Sequence, residues 1–469
     1  MLTSLSLRLR IFLFFCLLAL GGAALAGLAL WFGWSRTDPP VPASGFITAF
    51  AAFAFLNTGL ALAVWLLFDE NVAKPIERLA SELRLRAHAG VDRAVDTSVA
   101  KYLGDLAPAA EAVTTSLNAS VLDSAAQVAR ETERLQGEAA RLTALLTEIP
   151  VAMILVNPSN CIVLYDGQAA EVLAQIAPPR LKAPLSDYFD ADNIAQARET
   201  LRQTRKEVAF DLRDRSGAQT FDAKLKPLEG EGYLLVIDTA AMALRPAESR
   251  PLVYDFALMD AVETGDIHET ALRDLCFVAF DSETTGLDPQ KDDVVQLGAV
   301  RVLNGRIVDG ETLDTYVDPG RPIPAASTRI HGICDADVAG APDFAKACSA
   351  FHAFARDAVL VAHNAPFDIA FLRRYENRLG LEWDHPVLDT VLLSAVVFGT
   401  TESHTLDALC DRLGITIPDA LRHTALGDAR ATAEALVKLI PLLEGRGLTT
   451  FGALITETRK HGRLLEDLN

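Results

Sequence analysis

Cys276-Phe277-Val278-Ala279-Phe280 runs into Asp281-Ser282-Glu283-Thr284-Thr285-Gly286-Leu287, an apolar stretch that ends in two acids separated by one residue. An apolar run of this length, closed by Gly, reads as a buried strand, and side chains at i and i+2 leave a strand on the same face. Asp281 and Glu283 are therefore neighbouring like charges, an arrangement that invites a divalent cation. A second apolar strand, Val359-Leu360-Val361-Ala362, leads into His363-Asn364-Ala365-Pro366-Phe367-Asp368 and a helix through Ile369, Phe371, Leu372 and Tyr375. It adds a third carboxylate. His423-Thr424-Ala425-Leu426-Gly427-Asp428 opens a helix rich in Ala and Leu that extends to about Leu443, adding a fourth carboxylate and a histidine five residues ahead of it. Five helical steps would set His423 and Asp428 about 140° apart, so the spacing predicts His423 in a loop before the helix, from which both side chains reach one site.

Asp281, Glu283, Asp368, Asp428 and His423 match, residue by residue, the DEDDh set of the DnaQ-like exonucleases, which include the proofreading subunit of bacterial replicative polymerases. The resemblance spans residues 275–445 and takes in Arg329-Ile330-His331-Gly332-Ile333, Asp389-Thr390 and Ser403-His404-Thr405-Leu406. Each acid alone reads better as a helix cap or a solvated surface group, and His423 alone as a capping or core histidine; three ordered motifs with their flanks are what is specific. The resemblance implies a ribonuclease H-like α/β domain with a mixed sheet, and metal-dependent 3′→5′ hydrolysis of nucleic acid to nucleoside 5′-monophosphates. It implies Asp281, Glu283, Asp368 and Asp428 as ligands of two Mg²⁺ or Mn²⁺ ions and His423 as general base. It places Thr284, Thr285, Gly286, His331, Asn364 and Phe367 against a single-stranded 3′ end of DNA or RNA. Support or packing roles fit His331, His363 and His404 at least as well as catalysis. The motif flanks are most similar to the polymerase-proofreading branch, which favours DNA.

The chemistry agrees with that set. Four carboxylates offset two divalent cations, and hard oxygen ligands select Mg²⁺ or Mn²⁺. A metal pair about 3.5 to 4 Å apart would hold the attacking water and the leaving oxygen of an in-line displacement. Imidazole chemistry suits His423 to take a proton from that water near neutral pH.

The chain has 469 residues, 50% of them hydrophobic, with 62 acidic against 43 basic side chains and a net charge of −19. That balance excludes a protein that coats nucleic acid with a broad basic surface, so any such contact is local. The apolar content excludes a wholly disordered chain, and the length implies more than one domain. Residues 1–68 carry only Arg8, Arg10, Arg36 and Asp38 as charged groups. Ile11–Trp34 and Phe46–Phe68 are each free of charge and exceed the roughly 20 residues that cross a bilayer as helix. A cleaved signal peptide also starts with basic residues before an apolar run, but here the run continues through Leu28, Leu30, Trp31 and Trp34 and a second follows. The expectation is a two-helix transmembrane hairpin over residues 1–70. Arg8 and Arg10 before it, and Lys74, Arg78, Arg84 and Arg86 after it, place both chain ends and the catalytic domain in the cytoplasm of a multi-pass protein of the inner (cytoplasmic) membrane. The intervening loop, with Pro39, Pro40 and Pro42, is too short for an external ligand-binding domain.

Between membrane and exonuclease the sequence changes character several times. Residues 71–108 resemble the opening of a HAMP signal-relay module, and read equally as an amphipathic exit helix. In residues 109–149, Val121, Val128, Leu135, Leu142 and Ile149 recur by sevens beside a weaker seam of Ala125, Thr132, Ala139 and Leu146. That heptad predicts a parallel coiled coil and a homodimer, against a helix packed on its own chain. Residues 150–239 alternate in strand fashion, with strands at 152–156, 161–165, 208–212, 220–225 and 232–237 and helices near 168–176 and 194–205. This order resembles a PAS domain. No residue commits it to a ligand: histidine is absent between His88 and His268, which counts against His-ligated haem, and Cys161 reads as a core residue. An unliganded relay is the expectation. Residues 240–274 read as a linker, 275–445 as the exonuclease domain and 446–469 as a C-terminal tail. Six cysteines without a CxxC spacing read as reduced thiols. Two other functions fit the same motifs: a proofreading subunit acting with a DNA polymerase catalytic subunit, and a non-catalytic nucleotide-binding signalling protein.

Overall fold

A computed structural model describes residues 7–38, 41–80, 151–228, 232–240, 252–260 and 265–469. The expected coiled coil, and residues 81–108 of the HAMP-like segment, lie outside the described residues. The chain divides into two units, residues 1–123 and 124–469.

In the first unit, α1 (Leu7–Ser35, 29 residues) and α2 (Ser44–Phe68, 25 residues) turn back along each other. At 1.5 Å per residue each is long enough to cross a hydrocarbon layer of about 30 Å. Their large side chains, such as Leu17, Leu28, Phe55 and Leu56, point outward. A few polar contacts fix the pairing: Arg8 makes a two-pronged ion pair with Asp69 at 2.7 and 2.8 Å, and the Asn57 amide donates to the Ala19 carbonyl at 2.8 Å. Phe12 meets the edge of Trp65 with ring centroids 5.0 Å apart.

The second unit contains two sheets. The first is antiparallel, with strands β1 (Val151–Val156), β2 (Ile162–Tyr165), β3 (Val208–Arg213), β4 (Thr220–Pro227), β5 (Tyr233–Asp238) and β6 (Val253–Tyr254) in the order β3-β4-β5-β1-β2-β6. Helices α3 (Gly167–Ala174) and α4 (Ala191–Thr204) start on Asp166 and Asp190, whose carboxylates accept backbone N–H bonds as N-caps. β4 alternates buried and exposed residues along its length, so Phe221, Ala223 and Leu225 enter the core while Lys224 and Lys226 stay in water. Part of the segment between the sheets is itself ordered: β6 extends the first sheet, and Ala271 bridges to Thr450.

The second sheet has the order β11-β10-β7-β8-β9. Its strands are β7 (Cys276–Thr284), β8 (Val294–Leu303), β9 (Arg306–Tyr316), β10 (Val359–Ala362) and β11 (Val387–Asp389). β7 pairs in parallel with β10 and antiparallel with β8, which makes the sheet mixed. The β8–β9 hairpin turns at Asn304-Gly305, both with positive φ (49° and 69°), the backbone a two-residue turn of this kind demands. Around it lie α5 (Ala325–His331), α6 (Phe344–Ala355), α7 (Ala365–Arg373), α8 (Thr390–Phe398), α9 (Leu406–Leu413), α10 (Ala425–Glu444) and α11 (Phe451–Thr458). Strand alternation divides the covering: Phe280 packs on Phe351 of α6 at 5.0 Å between centroids, whereas the opposite face of β7, carrying Asp281 and Glu283, lies under α10. The last residues fold back as well. Phe451, Leu454 and Ile455 of α11 are buried, and the Asn469 side chain bonds both backbone groups of Val387.

The two sheets share one apolar core and a buried polar seam. Glu311 of β9, 1% exposed, forms an ion pair with Arg301 of β8 at 2.8 Å. It also accepts from the Tyr165 hydroxyl at 3.0 Å and from the Leu181 N–H. Arg180 pairs with Asp187 and donates to the Arg356 carbonyl at 3.0 Å, while Arg356 reaches Asp187 at 2.8 Å.

Candidate active site

β7 delivers Asp281 and Glu283 to one face by strand alternation, and α10 delivers Asp428 to the same face. Carboxylate oxygens of these three residues lie within 4.8 Å of one another, each side chain half-buried. Two small residues permit that approach. Gly298 stands opposite Asp281 in the ladder, and a Cβ there would fall 2.2 Å from the backbone of Ala425 and Leu426. Gly427 passes so close to the Leu421 carbonyl that a side chain could not be fitted. Thr424 starts α10 with its hydroxyl accepting from the Gly427 N–H at 3.1 Å, and Asp428 is the first residue to close a helical bond, to the Thr424 carbonyl at 3.0 Å.

His423 is exposed, precedes α10 and has positive φ (56°), so the loop geometry anticipated from its spacing is present. Its charge and backbone both act on Asp428. Asp368 lies in the first turn of α7 and is buried. It does not join the three-carboxylate group; its oxygen accepts from the Ser282 backbone N–H at 3.1 Å and from the Ser282 hydroxyl. Ser282 lies between the two acids of β7, so one Asp368 oxygen takes both its backbone N–H and its hydroxyl.

Like charges gathered out of water resist ionisation. Burial, then Asp368, Glu283 and Asp428, holds the Asp281 carboxyl well above its usual range. Burial and the charges of Asp428 and Asp368 push Glu283 up to about 8. Burial raises Asp368 to about 7 against the pull of the Ser282 bonds, and it raises Asp428 against the pull of His423. No Lys or Arg among the described residues forms an ion pair with Asp281, Glu283 or Asp428. An all-oxygen donor set with no Lys or Arg ion-paired to it among the described residues fits a hard divalent cation.

Thr284 and Thr285 are buried at the end of β7, and Thr285 is held by the Asp293 carbonyl at 2.8 Å and by Arg321 at 2.7 Å. Gly286 leaves no room for a side chain beside the Asp292 carboxylate. His331 is buried at the end of α5, where burial lowers its pKa, and its Nδ1 accepts from the Ile333 N–H at 3.0 Å. Asn364 is exposed with φ 72°, and Phe367 packs edge-on against Phe371. His363 and His404 are tied to Thr390 and Ser394 at 2.8 and 2.9 Å, and burial lowers both pKa values, that of His363 to about 4. The sequence reading misses Ser282 as the partner of Asp368, and Arg321 as the brace of Thr285. It also gives Asp389 no task, although its carboxylate accepts from the Ala365 and Val391 N–H groups at 2.6 and 2.7 Å and so starts both α7 and α8. An acid directly after an apolar strand and before a helix is the signal that marks Asp389.

The Exonuclease family pattern matches residues 278–436. A DNA polymerase III subunit epsilon-like protein of Rhodobacter capsulatus is 34% identical, with all of both chains covered. The chain belongs to the DNA polymerase III epsilon-like, DnaQ-type exonuclease family. It is a 3′→5′ exonuclease with a C-terminal ribonuclease H-like domain. The PolC-type DNA polymerase III of Caldanaerobacter subterraneus is 38% identical over 172 residues, which are 37% of this chain and 12% of that one. Among solved structures, E. coli exonuclease I in complex with a dT13 oligonucleotide is 22% identical over 37% of this chain and 42% of its own, with a TM-score of 0.33. Exonuclease X in complex with 5′-overhanging duplex DNA is 27% identical over 39% of this chain and 99% of its own, with a TM-score of 0.31.

Proposed function

We propose that this epsilon-like exonuclease works at the cytoplasmic (inner) membrane, tethered by residues 1–70, and removes nucleoside 5′-monophosphates from single-stranded 3′ ends with two Mg²⁺ or Mn²⁺ ions. The observation that carries the proposal is the convergence of Asp281, Glu283 and Asp428 within 4.8 Å. In this reading those three residues and Asp368 hold the ions, which would supply charge neutralisation and an activated water. His423 takes the proton, and Thr284, Thr285, Gly286, His331, Asn364 and Phe367 receive the terminal nucleotide. DNA is the preferred substrate; the polymerase names of the similar proteins support that preference and make a DNA polymerase catalytic subunit a candidate partner.

Two apolar helices of 29 and 25 residues support the tether. Residues 150–239 serve as a PAS-like module without an assigned ligand, which the five antiparallel strands and two helices in the expected order support. The HAMP-like segment 71–108 and the coiled coil 109–149 complete a dimeric relay in this reading, with 240–274 as linker, 275–445 as catalytic domain and 446–469 as C-terminal segment.

The full chain, purified in detergent micelles, is to be given 5′-labelled single-stranded DNA and RNA with Mg²⁺ or Mn²⁺, beside Asp281→Ala and His423→Ala. A ladder shortening one nucleotide at a time, absent in both variants, is the expected result. Intact oligonucleotides of both kinds with the unaltered chain would overturn the proposal.

A further inference from the structure

β8 contains one residue whose bonding no packing argument explains. Gln296 is 3% exposed in a strand that is buried along its whole length. It stands directly opposite Glu283 in the β7–β8 ladder, as Gly298 stands opposite Asp281. Its Oε1 accepts from the Ala425 N–H at 3.1 Å, and its Nε2 donates to Asp314 Oδ1 of β9 at 2.8 Å. The orientation of the amide is therefore fixed. An N–H can only donate and an ionised carboxylate can only accept, so the flipped amide would lose both bonds.

Ala425 is the first residue of α10, and its N–H is one of the donors that a helix start leaves without an intrahelical partner. Thr424 serves Gly427, and Gln296 serves Ala425. The two acceptors hold the start of α10 against the strand next to β7, with Asp428 one turn along and His423 two residues back. We infer that Gln296 is a positioning residue for the exonuclease reaction: it sets the start of α10, and through it His423 and Asp428, against Asp281 and Glu283. This inference rests on the roles proposed above for those four residues.

The test compares Gln296→Met, which keeps the volume and loses both bonds, with Gln296→Glu made together with Asp314→Asn, which keeps an acceptor for Ala425 and gives the second carboxylate oxygen an amide donor in place of the Asp314 carboxylate, in the full chain on single-stranded DNA. Misplacement of reacting groups by about 1 Å costs on the order of 100-fold in rate, so Gln296→Met is expected to lower kcat on that scale while KM changes less than about threefold. The double variant is expected to recover most of kcat. Hydrogen exchange in residues 421–428 is expected to quicken in Gln296→Met and not in the double variant. Asp314→Ala, at an exposed strand position, removes only the bond that orients the amide and is expected to lower kcat by a smaller factor. Unchanged kcat in Gln296→Met, equal losses in Gln296→Met and the double variant, or an effect confined to KM would overturn the inference. Should Gln296→Met fail to fold, unchanged kcat in Asp314→Ala would do so. Full activity in His423→Ala would instead overturn the assigned roles, whereas an inactive His423→Ala beside a fully active Gln296→Met would overturn this inference alone.

Discussion

The hydroxyl of Tyr165, in the first sheet, donates to Glu311 of the exonuclease sheet at 3.0 Å, where the carboxylate is 1% exposed. Glu311 is also the counter-charge of Arg301, itself 2% exposed and bonded to the carbonyls of Phe354 and Leu181. The charge balance of one sheet is thus completed by groups from the other. Glu311→Ala would strand a buried guanidinium, a change that costs about 3 to 5 kcal/mol. Tyr165→Phe would remove one bond to a charged acceptor and cost about 1 to 3 kcal/mol. Calorimetry of the full chain is expected to show the transition of the second unit lowered in that order; an unshifted transition in Glu311→Ala would contradict the pairing.

Asp389 begins two helices, one of which carries Asp368. With its carboxylate gone, the Ala365 and Val391 N–H groups lose their partner, at a cost of about 1 to 3 kcal/mol. Asp389→Ala is expected to lower both the melting temperature and kcat, with Asp389→Asn falling between it and the unaltered chain. A variant as stable and active as the unaltered protein would show that α7 is placed by packing alone.

Glu283 is held up from 4.5 to about 8. A carboxyl whose folded pKa is raised binds more protons folded than unfolded, so its destabilising effect is absent below about 4.5 and grows as pH rises towards 8. Asp368, raised to about 7, acts in the same direction. Chelator-treated protein is expected to melt at a lower temperature at pH 8 than at pH 5, and Mn²⁺ to raise the melting temperature more at pH 8. An equal or larger gain at pH 5 would mean that the carboxylates do not bind the ion.

Gly298 is the steric counterpart of the acidic cluster. Because a Cβ there would sit 2.2 Å from backbone rather than from a movable side chain, Gly298→Ala forces α10 away from β8. Overpacking of this kind costs about 1 to 3 kcal/mol. The expected outcome is a folded, less stable chain with weakened Mn²⁺ binding by titration calorimetry; unaltered Mn²⁺ affinity would show that Asp428 does not depend on this contact.

What could be read in advance follows physical range. Asp281 and Glu283 are legible because two residues of strand fix their common face, and His423 because five residues of helix could not bring it to Asp428. β1 to β5 of the first sheet fall within two residues of their expected positions, since alternation is a local signal, whereas β6 lies in the stretch read as a linker. The partners of those residues are not legible. Ser282 hides between two acids, Gln296 is one of two polar residues in an otherwise apolar strand, and Tyr165 and Glu311 are separated by 146 positions. Only the fold brings such pairs together. The ordered C-terminal segment escapes notice for a similar reason: its apolar residues are few, and they matter because α11 packs at α8.

Asn57 and the Arg8–Asp69 pair have a mechanical consequence. Each joins α1 to α2 at a defined height, Asn57 near mid-helix and Arg8 at the open end. Sliding one helix past the other by a single turn, about 5.4 Å, would break both contacts. The two contacts therefore oppose a sliding of α1 along α2, whereas tilting or rotating both helices as one body keeps them.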